Sequence, residues 1–308
     1  MTNGVSSRIS KESLLHYIGN TPLLRLKRVL PDTILDTMRV YAKAEWFNPG
    51  GSVKDRAAYG MIRQGLDAGL LKQGQTLIDS TSGNTGIAYA MIGAAMGFPV
   101  TLVMPENVSL ERKKIVTAYG AQIIYSDPLQ GSDGARDLVE ALVAKSPGKY
   151  FFPDQYSNEA NWKAHYETTG PEIWRDTEGQ ITHLIGGMGT SGTMMGTTRF
   201  LKEKNPDIRC IALQPESFHG IEGWKNMESS QPVKIYNAKI HDAKITIPTE
   251  PAYHWARELA AKEGLLVGPS AGGALYGALE AIQNVEKGLA VVIFADGGDK
   301  YLSTQLWD

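Results

Sequence analysis

Four Gly- and Ser-rich turns of this 308-residue chain hold the side chains that could do chemistry. In "NPGGSVKDR", residues 48–56, Lys54 follows a turn and a capping serine, Ser52, and so falls in the first turn of an amphipathic helix. The positive end of a helix disfavours an ammonium ion, which predicts a lowered pKa and a nucleophilic amine, the form that condenses with an aldehyde. A solvated surface lysine is the ordinary alternative. In "GGMGTSGT", Gly186 to Thr193, small residues between a strand and a helix let backbone N–H groups approach an anion. The lysine ending of a nucleoside-triphosphate loop is missing, and the turn carries no Lys or Arg, which suits a phosphate monoester. Gly187, Gly189 and Gly192 also spell the GxGxxG of dinucleotide sites, with Asp207 and Glu216 in the region of the required acid, so a nicotinamide cofactor stays open on spacing alone. In "TSGNTG", residues 81–86, hydroxyls, an amide and glycines could hold a carboxylate, or simply start a helix. "VGPSAGGA", residues 267–274, places Ser270 at a further turn, as a helix cap or as a site residue.

The elements around these turns alternate. Apolar, β-rich runs at 75–80, 99–105, 121–126, 181–187, 209–214 and 290–295 are each bounded by a turn, and most lead into helical patterns. Strands spaced by helices predict an α/β fold with mostly parallel sheets covered on both faces. In such folds ligands bind beyond the carboxyl ends of the strands, where the four turns lie. The three β-α units between about 75 and 146 predict one small sheet, and 215–250 reads as a long irregular segment.

Composition narrows the function classes. A net charge of −2 gives no footprint for nucleic acid or an anionic membrane, and no apolar run reaches transmembrane length. A lone cysteine, Cys210, and an N-terminus without an apolar signal core fit a cytoplasmic protein. The six histidines lack paired ligand spacing, so no metal site is expected. Cys210 and Met188, Met194 and Met195 read as packing, and His165 as structural.

Taken together, "IGNTPLLRL" (18–26), "NPGGSVKDR", "TSGNTG", "HYETTGPEIW" (165–174), "GMGTSGT" and "GDKYLS" (298–303) resemble, in order, the cysteine synthase family of pyridoxal-phosphate (PLP) enzymes, fold type II. The likeness runs from Ile18 to Ser303 and is greatest to the B-type members. It implies two three-layer αβα domains like those of the tryptophan synthase β-subunit: residues 1–45 with 152–308 as a large cofactor domain, and 46–151 as a small mobile domain that closes on substrate. It implies that Lys54 forms the Schiff base with PLP and then acts as base on the substrate α-proton. Asn84 would bind the phenolic oxygen, Gly189, Thr190, Ser191, Gly192 and Thr193 the phosphate, and Ser270 the ring nitrogen. Thr81, Ser82, Thr85 and Gln155 would hold the substrate carboxylate. A neutral Ser270 favours β-elimination and replacement over transamination. The implied reaction makes L-cysteine from an activated serine, O-acetylserine being favoured, through an aminoacrylate and a sulfide-type donor, in a homodimer. O-phosphoserine or thiosulfate as substrates, and a serine/threonine dehydratase on the same fold, are the alternatives. The chain departs from its B-type relatives at "HGIEGWKNM", residues 219–227, where Lys225 and Glu222 stand in a loop that carries arginines in those enzymes.

Overall fold

The computed structural model describes residues 13–81 and 83–308. Among these residues ten strands form two sheets. The larger uses β1 (Leu23–Arg25), β2 (Met38–Ala44), β7 (His183–Gly187), β8 (Arg209–Pro215), β9 (Ala243–Ile247) and β10 (Gly288–Phe294), in the order β1-β2-β10-β7-β8-β9. Of these described strand pairs only β1–β2 is antiparallel. The smaller uses β3 (Thr76–Ser80), β4 (Val100–Pro105), β5 (Gln122–Ser126) and β6 (Tyr150–Phe151) in the parallel order β5-β4-β3-β6.

Each sheet is buried on both faces at its centre because strands such as β4, β8 and β10 are apolar at consecutive positions, and strand side chains alternate sides; the edge strands β1, β5 and β9 are only partly buried. In β10, Ala290, Val292 and Phe294 pack with Ala271, Leu275 and Ile282 of the helix Pro269–Ile282, while Leu289, Val291 and Ile293 pack with Ile173, Met194 and Leu201 on the other side. In the smaller sheet, Leu77 and Leu102 face the helices Lys54–Asp67 and Asn84–Met96, whereas Ile78 and Val103 face the helix Gly131–Lys145. The helix Asn84–Met96 is buried at every position from Thr85 to Gly93, which accounts for its apolar sequence on all sides. Both halves are thus helix–sheet–helix sandwiches, as the alternation predicts.

Four strands escape the sequence patterns, among them the two-residue β6. β1 has only three residues, and β9, "AKITI", lies inside the segment read as irregular. β2, "MRVYAKA", carries Lys43 inward, fully buried. Lys43 Nζ donates to the Thr21 carbonyl at 2.6 Å and to Glu172 Oε2 at 2.7 Å. Glu172 also accepts from Arg56 Nη1 at 2.6 Å, and Arg56 Nε donates to Glu45 Oε2 at 2.8 Å. Thr21 Oγ1 donates to Glu45 Oε1 at 2.6 Å, Asn48 Nδ2 to Glu45 Oε2 at 2.9 Å, and the Asn20 N–H to Glu172 Oε1 at 2.9 Å. Two buried cations meet two buried anions, with the partly exposed Asp176 Oδ2 4.0 Å from Lys43 Nζ at the edge, so the buried charges are matched within the protein. Burial pushes the Glu172 carboxyl up, but Arg56 and Lys43 outweigh it and leave the pKa at about 2. The motifs at 18–26, 48–56 and 165–174 meet here. They anchor Arg56, two residues beyond Lys54, to the larger sheet.

Candidate active site

The chain after β2 passes through Asn48–Val53 to the helix Lys54–Asp67. The turn is pinned at every point. The Val53 N–H donates to the Ala295 carbonyl at 2.8 Å, just past β10. Lys300 Nζ donates to the Gly51 carbonyl at 2.8 Å, and Asp55 Oδ2 accepts from the Gly50 N–H at 2.5 Å. Gly51 has a left-handed φ of 74°, a conformation open to glycine at little cost. Ser52 is buried, and its hydroxyl accepts from the Lys54 N–H at 3.3 Å, one position before the residue that caps the helix, Val53.

Lys54 therefore stands at the start of its helix, and its amine faces a cavity between the two sheets. Its pKa is lowered, but the leading cause differs from the sequence expectation. Burial is the main effect, opposed by the charges of Asp296 and Glu45. A desolvated amine beside a buried acid is still the nucleophilic form that condensation with an aldehyde needs.

Opposite Lys54 lies the turn after β7. Gly187 and Gly189 have no room for a Cβ: the first would lie 1.8 Å from the Trp224 ring and the second 2.3 Å from the Gly223 carbonyl. Ser191 takes a left-handed φ of 68° and precedes the helix Gly192–Lys204, whose first turn has no acidic residue and no side-chain cap. The N–H groups of Gly189 to Thr193 find no acceptor among the described residues, and the buried Ser191 hydroxyl has none either. Such a set of unmet donors at a helix start is an anion site. Asn161, which the sequence did not single out, fixes this turn: its Nδ2 donates to Thr190 Oγ1 at 3.0 Å and to the Gln155 carbonyl at 2.7 Å. His165 Nε2 lies 3.3 Å from Thr193 Oγ1, and burial pushes its pKa down to about 3, so it stays neutral and structural.

The other predicted residues converge on the same cavity. Ser270 is not a cap, since the helix Pro269–Ile282 is capped by Gly268; its buried side chain lines the recess beside Lys54. Asn84 Nδ2 donates to Asp296 Oδ2 at 2.7 Å, which leaves its second N–H free, and its buried Oδ1 has no partner. Tyr301 shares Asp296 through a 2.7 Å hydrogen bond from its hydroxyl. Thr85 Oγ1 donates to Gln155 Oε1 at 2.9 Å, and Thr81 Oγ1 accepts from the N–H groups of Gly83 and Gly86, both at 3.2 Å. Thr81, Thr85 and Gln155 line a space of about 250 Å³ that opens from the recess. Ser82, expected beside them, lies outside the described residues. Cys210 is buried in the core of the larger sheet, and burial pushes its thiol up to about 11, so it packs rather than reacts.

The cavity fits PLP. It offers an amine for the aldehyde, unmet N–H donors for a phosphate, a free amide donor for the phenolic oxygen and a neutral hydroxyl for the ring nitrogen. Gly189→Ala should weaken cofactor binding by about 1–3 kcal/mol, because the new methyl group meets a backbone carbonyl that cannot rotate away. Visible-absorbance titration of the cofactor-free protein measures this, and wild-type affinity would remove the cradle from the argument.

The chain belongs to the pyridoxal-phosphate dependent enzyme family, whose model matches residues 14–296. It is 52% identical to a cysteine synthase of Aquifex aeolicus, over 97% of this chain and 93% of that protein. It is 45% identical to cysteine synthase B of Salmonella typhimurium, over 95% of each. It superposes on the crystal structure of O-acetylserine sulfhydrylase isoform 3 from Entamoeba histolytica with a TM-score of 0.89 and 36% identity, covering 96% of this chain and 91% of that one. Fold type II and PLP dependence, expected from the motifs, are both borne out.

Proposed function

We propose that this enzyme makes L-cysteine by β-replacement, joining sulfide to the β-carbon of O-acetylserine and releasing acetate. The observation that carries the reading is the meeting of Lys54, the donor turn 189–193 and the Thr81–Thr85–Gln155 group in one cavity between the sheets. Lys54 would hold the cofactor, with Asn84, Ser270 and the 189–193 turn. PLP, when bound, supplies a sink for the electron pair left on the substrate α-carbon.

The rest is done by the chain. Thr81, Thr85 and Gln155 hold the α-carboxylate and so orient the α-hydrogen toward Lys54. Lys54, uncharged once freed, takes that proton and later returns it. The Cβ–oxygen bond to acetate breaks, and a Cβ–sulfur bond to hydrosulfide forms at the same carbon. Ser270 is neutral, so it does not strengthen the electron sink, and this favours replacement over transamination.

Residues 46–151, which contain the whole smaller sheet, form the unit that closes on substrate in this reading, against 1–45 with 152–308. A fall in radius of gyration on adding O-acetylserine tests that motion. The family resemblance supports a homodimer working in the cytoplasm. Among the described residues no helix is long and apolar enough to cross a membrane.

The PLP-loaded protein, given O-acetylserine and sulfide, should form cysteine and acetate in equal amounts. Light scattering of the same preparation should give twice the 33.6 kDa chain mass. Ammonia and an oxo acid as the main products, with sulfide present, would assign a dehydratase instead.

A further inference from the structure

The loop 219–227 places one acid at the mouth of the cavity. Glu222 is held where it is by its neighbours: Gly223 has a left-handed φ of 86°, its carbonyl packs against Gly189, and the Lys225 N–H donates to the Met188 carbonyl at 2.8 Å. The position of Glu222 is therefore tied to that of the 189–193 turn. From there its carboxylate pairs with Nη1 of Arg112, on the helix Leu110–Ala118 across the cavity.

Arg112 is well placed to meet a ligand. Its side chain is only 3% exposed, its Nε–H is buried with no acceptor, and it stacks over the Tyr301 ring at 4.8 Å. The Cβ that Gly83 lacks would lie 3.7 Å from Arg112 Nε, so the guanidinium rests against the turn that holds Thr81 and Thr85. The other cation of the mouth is engaged as well: Lys225 Nζ donates to Asp133 Oδ1 at 3.1 Å. His219 is half-buried, and desolvation lowers its pKa, so it adds no charge at neutral pH.

We propose that Glu222 is a specificity-determining residue: by occupying Arg112 it leaves no free cation at the mouth, among the described residues, for an ester that is already anionic before its bond breaks, and so restricts the enzyme to serine activated as an uncharged acyl ester. This rests on the cysteine-forming reading and adds to it the residue that sets which ester is accepted. A guanidinium released from its carboxylate would grip a phosphate through two parallel hydrogen bonds. With Glu222 in place, a phosphate ester must displace a carboxylate from a buried partner and lie beside it.

The test compares wild type with Glu222→Gln, which keeps the shape and removes the charge, and with Glu222→Asp, which restores it. The ratio of kcat/KM for O-phosphoserine to that for O-acetylserine, with sulfide as donor, should rise about tenfold or more in Glu222→Gln and return toward wild type in Glu222→Asp. Calorimetry should show O-phosphoserine binding tightened to a similar extent in Glu222→Gln. An unchanged ratio with unchanged phosphoserine binding overturns the proposal, as does an equal rise in the Asp variant. If wild type makes cysteine from neither ester, the functional reading falls, and the calorimetric comparison still decides the role of Glu222.

Discussion

Lys54→Ala is expected to abolish cysteine formation while leaving the protein folded. In the proposed reading Lys54 is both the covalent anchor and the proton carrier, and removing such a group should cost roughly four orders of magnitude in rate or more. The fold should persist because Lys54 lies outside the buried network that ties its helix to the larger sheet, and alanine is favoured in a helix. PLP should still bind non-covalently through the 189–193 turn, which does not depend on the lysine. The measurements are cysteine formation with added PLP, circular dichroism, and the absorbance change that marks reaction of the aldehyde. A variant that turned over like wild type would disprove the assignment of Lys54 to proton transfer. A variant that failed to fold would instead make the lysine structural, contrary to its place on the cavity wall.

Glu172→Gln should produce the largest loss of stability. The glutamine is nearly the same size, so packing is preserved, but Arg56 and Lys43 are left with one fully buried anion, Glu45, and with the partly exposed Asp176 4.0 Å from Lys43 Nζ. Breaking a buried ion pair by neutralising one member costs about 3–5 kcal/mol. A cut of that size lowers the melting temperature by several degrees for each kcal/mol at most.

The pH dependence gives a second readout. Glu172 has a depressed pKa of about 2 in the folded protein, against an ordinary value of 4.5. Its contribution is therefore present above that ordinary value and is lost as pH falls toward 2. Wild type should lose stability across this window, and Glu172→Gln should show a shallower slope there in denaturant titrations. Equal stability and equal slopes would mean that the network is not what holds the Lys54 helix. Activity should fall as well, because Arg56 fixes the turn of helix from which Lys54 projects.

Some of this protein is written in short stretches of sequence. The four turns are local objects: a strand, a run of small residues and a helix start occur within about a dozen positions, and each follows from backbone chemistry that needs no distant partner. Apolar runs likewise marked β3, β4, β7, β8 and β10, whose burial shows directly as consecutive apolar residues, and the half-exposed edge strand β5. That let the turns holding Lys54, Asn84, Ser270 and residues 189–193 be singled out in advance, while the roles expected of these residues came from the family resemblance.

Only the tertiary structure could decide the rest, because it depends on charges that are tolerable only beside partners far along the chain. β2 was hidden because Lys43 looks like a surface residue until Glu172, 129 positions away, neutralises it. The pKa of Lys54 was expected to fall through the helix end, whereas burial between the two sheets is the stronger cause. Asp296 joins the site through a hydrogen bond spanning 212 positions, and Glu222 reaches Arg112 across 110. Sequence spacing carries no information about such pairs. Burial in a low-dielectric interior makes them obligatory, and folding alone brings them together.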